Sequence, residues 1–295
     1  MISVAFVNFW GTFIREESWI YNFLNYHFSE VTLVDKEASP RILISSCFGP
    51  ISHVTESTAA LKIFYSTENI LRTTDYADIE NLKKVFDFQI DMMGDLENNQ
   101  SRFHLPYFIT RYPYYKYEKT QNIPTYIMNR RDLNLSKKKE MIATIVSSHD
   151  ANGLRKRIIN CFGNHGKVFS PGKFMNNTKP IESYKEAKID FISKSLFNIC
   201  PENSYIHGYR SEKIFDALEA GTIPIYWGWI PQEDYLNNEC FIYHNGSKSG
   251  DELIEEALQN PIKYLSQRVF LDCIEDYLEE KYLLLRDILK DFLFS

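Results

Sequence analysis

Short apolar runs alternate with longer amphipathic segments along the chain, a pattern typical of α/β proteins with parallel strands. The segments with helical spacing of apolar residues are Glu17–Phe28, Ala151–Phe162 and Ser211–Ala220. Eight apolar runs are predicted strands: Ser3–Val7, Arg41–Ser45, Leu61–Tyr65, Val85–Ile90, Met141–Val146, Ser195–Cys200, Thr222–Tyr226 and Cys240–Tyr243. The sequence therefore predicts an α/β fold built on parallel sheets.

The length of 295 residues exceeds what one hydrophobic core usually supports, so we expect two domains. The most polar and least patterned region runs from Tyr114 to Lys139, and we interpret it as a linker. We expect the boundary near Ser136, with a first domain over 1–136 and a second over 137–268. Residues 269–295 carry an apolar stripe at helical spacing, and we expect this helix to pack back on the first domain.

Charge and cysteine content narrow the class of protein. The net charge of −6 argues against a nucleic-acid partner, because phosphate contacts need a basic face. We see neither an apolar run of membrane-spanning length nor the pattern of a signal peptide. The 5 cysteines lack CxxC pairing, which favours buried free thiols over disulfides or a metal site. We therefore expect a cytoplasmic protein without a transmembrane segment.

Polar residues follow three of the predicted strands directly. Tyr65 precedes the sequence STEN, and Val146 precedes SSHD, with Arg155 in the first turns of the next helix. Cys200 is followed after one residue by Glu202, Asn203 and Ser204. In open parallel sheets the ligand crevice lies beyond the carboxyl ends of the strands. These loops are therefore candidate ligand-binding segments.

The stretch PENSYIHGYRSEKIFDALEAGTIPIYWGW, residues 201–229, carries the most specific chemistry. Ser211 is a suitable N-cap for the following helix, whose N-terminus attracts anions. Lys213 adds a positive charge there, and Glu212 suits a pair of ribose hydroxyls. Ser211 and Glu212 alone are better explained by simple helix capping. Together with Tyr209 and Lys213, they favour a nucleotide diphosphate as the ligand.

This stretch resembles the donor-binding motif of the alpha-1,3/4-fucosyltransferases, glycosyltransferase family 10, which runs roughly FENS…YxTEK…A…G.IPI..G. Other segments recur in the same order as in bacterial members, and the resemblance covers nearly the whole chain. They are NFWG at 8–11, FYSTEN at 64–69, HLPYF at 104–108, SSHDANGLRKRI at 147–158 and GNHGKVFSPGKFMNN at 163–177.

The resemblance implies a metal-independent GT-B fold with two Rossmann-like domains that face each other across a cleft. It implies transfer of L-fucose from GDP-fucose, with inversion, to a hydroxyl of a glycan acceptor. The expected acceptor position is O3 or O4 of GlcNAc in a LacNAc-type structure, in the biosynthesis of lipopolysaccharide or glycoprotein glycans. GDP-fucose is the donor substrate, and no further cofactor is expected.

Site residues follow from the resemblance by matched position. Glu68 would be the general base that deprotonates the acceptor hydroxyl. Arg155 and Lys213 would bind the diphosphate, and Glu212 would hold the ribose. Additional donor-binding positions are Asn203 and Tyr209, which would hydrogen-bond the diphosphate, and Glu202, Ser204 and Tyr65, which have no individual role.

Two departures from the motif leave alternatives open. Pro201 stands where the family usually has Phe, and this change could alter the wall near the sugar. A GT-B enzyme that uses a different nucleotide sugar is therefore the second interpretation. Ser211 replaces Thr and can still cap the helix. A glycan-binding protein that has lost catalysis is the third interpretation, and the intact set of Glu68, Arg155, Glu212 and Lys213 argues against it. The basic tail of some bacterial relatives is missing, so membrane docking through such a tail is not expected.

Overall fold

A computed structural model describes residues 1–73, 75–93, 101–111, 122–182, 184–231 and 235–294. The chain divides by its contacts into two compact units. Unit 1 comprises Met1–Gln121, Ile206–Tyr209 and Asp276–Ser295, and unit 2 comprises Asn122–Tyr205 and Arg210–Glu275. Each unit contains one parallel sheet with helices around it, so the predicted α/β class is confirmed.

Unit 1 is built on a six-stranded parallel sheet with the strand order β2-β1-β3-β4-β5-β6. The side chains of β3 are buried on both faces, which explains its unbroken apolar sequence. Four helices of this unit are α1 Trp19–His27, α2 Ser52–Thr55, α3 Ile79–Val85 and α4 Tyr107–Thr110. The strands are β1 Ile2–Val7, β2 Val31–Leu33, β3 Ile42–Ser45, β4 Leu61–Ser66, β5 Phe88–Asp91 and β6 Arg102–His104.

Unit 2 is built on a five-stranded parallel sheet with the order β11-β10-β9-β7-β8. Its strands are β7 Met141–Ile145, β8 Val168–Phe169, β9 Ser195–Ile199, β10 Ile223–Tyr226 and β11 Ile242–Tyr243. Its helices are α5 Asn122–Leu135, α6 Leu154–Cys161, α7 Lys185–Ser193, α8 Glu212–Glu219, α9 Lys248–Gln259 and α10 Ile262–Leu265.

The last helix, α11, runs from Ile274 to Phe294. Its apolar stripe is buried at Leu278, Leu285 and Ile288. Within unit 1, the ring of Tyr282 stacks on the ring of Trp19 in α1, with the centroids 5.9 Å apart. None of the helices in the described residues is both long and apolar enough to pass through a membrane.

Helix α5 lies where the sequence was interpreted as a polar linker, and that interpretation is wrong for residues 122–135. Two of its polar side chains are buried rather than solvated, since they bind the last carbonyls of α8. Arg131 Nη1 donates to Leu218 O at 3.3 Å, and Asn134 Nδ2 donates to Glu219 O at 2.9 Å. Unit 2 therefore begins at Asn122, before the predicted boundary at Ser136. Residues 112–121 of the linker lie outside the described residues.

Gly221 allows this approach of α5 to α8. Its φ of +65° lies in the left-handed region, which favours glycine just after a helix. A Cβ at this position would lie 3.0 Å from Arg131 O and 2.9 Å from Leu135 N. Glycine is therefore required both by the turn and by the neighbouring backbone.

Candidate active site

The candidate site of unit 2 lies at the carboxyl ends of β7 and β9, beside the N-terminus of α8. Parallel strands bring their carboxyl ends to the same edge of a sheet, so the loops after them meet. A groove at this edge is lined by Val146, Arg155, Lys188, Asn198, Ile199, Cys200, Pro201 and Lys213. Three of these residues are cations, which makes the groove suited to an anion.

Arg155 is held in place by the loops that follow both strands. It lies in the first turn of α6, and only 1% of its surface is exposed. Its Nη1 donates to His149 O at 2.6 Å, and its Nη2 donates to Pro201 O at 2.7 Å and to Asn203 Oδ1 at 3.0 Å. A guanidinium with this many fixed acceptors keeps one orientation, so its charge is pre-positioned.

Lys213 is fixed by a buried carboxylate. Its Nζ lies 3.0 Å from Glu202 Oε2 and donates to Ser211 Oγ at 2.7 Å. Ser211 occupies the N-cap position of α8, as predicted, but its side chain accepts no helix N–H. Its hydroxyl instead lies 2.7 Å and 2.9 Å from the two oxygens of Glu202. The capping role expected of the Ser211 side chain is therefore wrong, because Glu202 takes the hydroxyl as its donor.

Glu212 is the first residue of α8, and its carboxylate lies among cations. Its Oε1 is 3.6 Å from Lys188 Nζ and 3.9 Å from Lys213 Nζ. Lys188 also lies 2.7 Å from Asp216 Oδ2. Lys188 was not among the predicted site residues, because only the packing of α7 against α8 brings this side chain to the groove. The spacing of apolar residues in α7 carries no sign of it.

The structure thus brings five predicted residues together in unit 2: Arg155, Glu202, Asn203, Glu212 and Lys213. Ser204 follows Asn203 in the same loop and is half-buried. The other three predicted residues, Tyr65, Glu68 and Tyr209, belong to unit 1.

Glu68 lies in the loop after β4, and its side chain is exposed. Its backbone N–H donates to Ser66 Oγ at 3.2 Å. Asn69 beside it is buried, and Asn69 Oδ1 accepts from Leu71 N at 3.1 Å. Burial raises the pKa of the Cys47 thiol, and the negative charge of Glu68 raises it further. The loop therefore presents a carboxylate from a fixed backbone.

Tyr65 is buried at the end of β4, and burial raises its pKa well above the ordinary value, so the phenol stays neutral. Its ring forms part of the wall of a cavity of about 290 Å³ in unit 1. The cavity is lined largely by aromatic and hydroxyl-bearing side chains: Trp10, Thr12, Phe13, Ile14, Glu17, Ser18, Trp19, Tyr65, Thr67, Tyr107, Thr110 and Arg111. Thr67 is the immediate neighbour of Glu68, so the carboxylate and the cavity share one loop.

Tyr209 is buried in the apolar core of unit 1, where it groups with residues such as Phe64, Tyr76 and Met92. The preceding residue, Gly208, is fixed by a hydrogen bond to β6, in which His104 Nε2 lies 3.2 Å from Gly208 O. The segment Ile206–Tyr209 is thus an integral part of unit 1.

One group of potential metal ligands occurs among the described residues: Cys161, His244 and Asp251 in unit 2. Gly246 N–H donates to His244 Nδ1 at 3.0 Å, so the proton of the neutral ring is on Nε2 and points to Asp251 Oδ1, 2.9 Å away. Arg157 Nη2 occupies the other oxygen of Asp251 at 2.7 Å. These contacts describe a hydrogen-bonded link between α6, α9 and the end of β11 rather than a metal site.

The fold of the chain is similar to that of a solved structure. A crystal structure of an alpha1,3-fucosyltransferase with GDP-fucose matches with a TM-score of 0.69 at 19% identity, over 98% of this chain and 90% of that chain. At this level of identity the likeness shows the fold alone, which is the GT-B fold.

Family models match most of the sequence. Residues 4–117 match the alpha-(1,3)-fucosyltransferase FucT N-terminal domain, and residues 135–266 match the glycosyltransferase family 10 (fucosyltransferase) C-terminal model. The chain belongs to glycosyltransferase family 10, and the resemblance stated from the motifs is confirmed.

Curated relatives match over shorter stretches. The alpha-(1,3)-fucosyltransferase FucT of Helicobacter pylori is 38% identical over 89 residues, which are 30% of this chain and 18% of the relative. A 4-galactosyl-N-acetylglucosaminide 3-alpha-L-fucosyltransferase of Homo sapiens is 30% identical over 140 residues, which are 45% of this chain and 38% of the relative. The chain therefore corresponds to less than half the length of either relative.

Proposed function

We propose that the protein transfers L-fucose from GDP-fucose to a hydroxyl of a glycan acceptor, with inversion at C1. The proposed linkage is α-1,3 or α-1,4 to GlcNAc of a LacNAc-type structure, on a lipopolysaccharide or a glycoprotein. The observation that carries the proposal is the fixed cationic cluster of unit 2, in which Arg155 and Lys213 line one groove. Membership in glycosyltransferase family 10 supports the choice of donor.

On the donor side, Arg155 and Lys213 bind the diphosphate and stabilise the negative charge that it gains on departure. Electrostatic stabilisation by pre-positioned groups is usually the largest single contribution to an enzyme's rate enhancement. Asn203 adds a hydrogen bond to the diphosphate, and Glu212 binds the ribose hydroxyls. The alpha1,3-fucosyltransferase crystallised with GDP-fucose shares this fold, which supports the assignment of the nucleotide.

On the acceptor side, Glu68 is the general base. It takes the proton of the acceptor hydroxyl while that oxygen bonds to C1 of fucose and the bond from C1 to the diphosphate oxygen breaks, with its electron pair leaving on GDP. The proton ends on the Glu68 carboxyl group. Such a proton transfer contributes typically ~10²–10⁴-fold to the rate.

The aromatic cavity beside Thr67 is the acceptor subsite in this proposal. Aromatic rings present flat apolar faces against which sugar rings stack, and hydroxyl-bearing side chains supply hydrogen bonds. Its lining includes Trp10, Phe13 and Tyr107 on the aromatic side and Thr67 and Thr110 on the polar side. All of these residues belong to unit 1, as does Glu68.

The reaction is proposed to take place in the cytoplasm. All five cysteines, Cys47, Cys161, Cys200, Cys240 and Cys273, are free thiols, which is typical of a reducing compartment.

A transfer assay tests the function. The protein is incubated with GDP-fucose and N-acetyllactosamine, and the product is examined by mass spectrometry and by NMR for an α-linked fucose. Parallel thermal shifts with GDP, UDP and dTDP test the alternative donor suggested by Pro201, whose carbonyl accepts from Arg155. We expect fucosylated product and stabilisation by GDP above the other two nucleotides. A folded protein that binds no GDP would refute the proposal.

A further inference from the structure

Glu202 is a fully buried carboxylate, and both of its oxygens are hydrogen-bonded to groups of the protein itself. None of its side-chain surface is exposed. Its Oε1 accepts from the backbone N–H of Ser211 at 2.7 Å, and its Oε2 lies 3.0 Å from Lys213 Nζ. The Ser211 hydroxyl lies between the two oxygens and also accepts from Lys213. A carboxylate buried in this way has no surface left for a ligand.

The position of the Glu202 side chain is set by the backbone of the turn that follows β10, at Trp227 and Gly228. The Glu202 backbone N–H donates to Trp227 O at 2.7 Å, which ties the loop after β9 to the residue that follows β10. A Cβ at Gly228 would lie 2.8 Å from Glu202 Cγ and would also collide with the hydroxyl of Tyr226. Gly228 therefore leaves room for the Glu202 side chain.

These contacts show that four residues of the stretch 201–229 form one structural unit. Glu202, Ser211, Lys213 and Gly228 meet in a single packed cluster at the start of α8. A buried charge is stable only when it is paired and hydrogen-bonded. The pairing of Glu202 with Lys213 consequently holds the ammonium group at one point, beside the helix N-terminus, where an anion is favoured.

We infer that Glu202 is a positioning residue that fixes the Lys213 ammonium for the diphosphate, and that it does not touch the donor. This inference rests on the proposed function, because it assigns a role toward the same nucleotide. It replaces the expectation that Glu202 belongs to the donor contacts. Lys213 binds the leaving diphosphate, and Glu202 determines the position and orientation of the Lys213 ammonium group.

A double-mutant cycle on GDP binding, followed by isothermal titration calorimetry, tests the inference. Glu202→Gln keeps the shape of the side chain and removes the charge that holds Lys213. With Lys213 present, we expect this substitution to weaken GDP binding by about tenfold. In a Lys213→Met background, the same substitution should change Kd by less than about twofold. Equal losses in the two backgrounds would overturn the inference, because they would mean that Glu202 acts on GDP independently of Lys213.

Glu219→Gln is the matched control for loss of a buried carboxylate. Glu219 lies at the other end of α8, is also buried and pairs with Lys185 at 2.9 Å. It should lower the unfolding temperature as Glu202→Gln does, yet leave the Kd for GDP unchanged. In turnover assays, Glu202→Gln should raise the KM for GDP-fucose and leave the KM for the acceptor unchanged. A rise in both KM values would point to a merely structural role and overturn the inference.

Ser211→Ala provides a second, milder variant should Glu202→Gln fail to fold. It removes the hydroxyl that joins the carboxylate to the ammonium, and its effect on GDP binding should also vanish in the Lys213→Met background. An undiminished effect in that background would overturn the inference. A folded wild-type protein that binds no GDP would instead refute the proposed function, so the two failures are distinguishable.

Discussion

The Arg155 guanidinium donates through Nη2 to Asn203 Oδ1 at a distance of 3.0 Å. A guanidinium has only donors, so the atom of Asn203 that faces it must be the amide oxygen. The amide Nδ2 then points away from Arg155. One hydrogen bond therefore orients a cation from the first turn of α6 and an amide donor from the loop after β9.

Asn203→Asp tests the use of that amide donor. The substitution keeps an oxygen for Arg155 but replaces the Nδ2 donor with an anionic oxygen, which repels a diphosphate. Since hydrogen bonds to charged groups contribute about 1.5–3 kcal/mol, we expect the Kd for GDP to rise by at least about tenfold. Asn203→Ala should have a smaller effect, because it adds no charge. Calorimetric titration with GDP measures both.

The control for this pair is Asn160→Asp, an exposed position in α6 of the same unit. It adds the same charge and should leave the Kd for GDP within about twofold. If Asn203→Asp and Asn203→Ala both bind GDP as tightly as the wild type does, the Asn203 amide is not a donor to the diphosphate.

Trp10→Ala tests the aromatic cavity of unit 1. Trp10 is 45% exposed, and its ring meets the rings of Phe13 and Phe48 edge-on, with centroids 5.1 Å and 5.9 Å apart. Stacking contributes about 0.5–1.5 kcal/mol, so the acceptor KM should rise about two- to tenfold. The Kd for GDP should stay unchanged. Steady-state kinetics at saturating GDP-fucose provide the measurement.

Tyr26→Ala is the matched control, since Tyr26 is an exposed aromatic residue of α1 in the same unit. It should alter neither KM. An unchanged acceptor KM in Trp10→Ala, with kcat also intact, would exclude Trp10 from the acceptor subsite.

His104 makes the stability of unit 1 sensitive to acid. Burial, with a smaller effect from the positive charge of Lys281, lowers its pKa from 6.5 to about 4. Below pH 6.5 the unfolded chain binds a proton that the folded chain does not, so stability is complete above pH 6.5 and falls as the pH drops toward 4. The loss at pH 5 is on the order of 2 kcal/mol.

Urea unfolding of the wild type and of His104→Gln at pH 7 and pH 5 checks this linkage. The variant retains a donor for Gly208 O but has no titrating ring, so its stability should fall less between the two pH values. His27, whose pKa burial also lowers to about 4, is present in both proteins and cancels in the comparison. Equal pH dependence of the two proteins would contradict the assignment.

The sequence predicted the central strands because their apolar runs are buried on both faces, as in β3 and β4. It missed β2, β6 and β8, which have only 3, 3 and 2 residues and too little pattern to detect. It missed α5 because Arg131 and Asn134 resemble solvated residues in sequence, whereas both are buried against α8. Such burial depends on distant partners that no local window contains.

The candidate site shows the same division. The motif residues Arg155 and Lys213 could be named from the sequence. The structure adds the hydrogen-bond partners that fix their side chains. Lys188 was missed because it reaches the groove only through the packing of α7 on α8. Glu202 could be named from the motif, but its complete burial depends on Gly228 and on the turn before α8, which the sequence alone does not reveal.

The central claim is that a unit 1 carboxylate activates the acceptor while unit 2 cations hold the diphosphate. Glu68→Gln measures it most directly, with Glu56→Gln, another exposed position of unit 1, as the control. The account predicts that Glu68→Gln binds GDP with wild-type affinity while kcat falls ~10²–10⁴-fold, and that the control keeps both. Wild-type turnover in Glu68→Gln would contradict it.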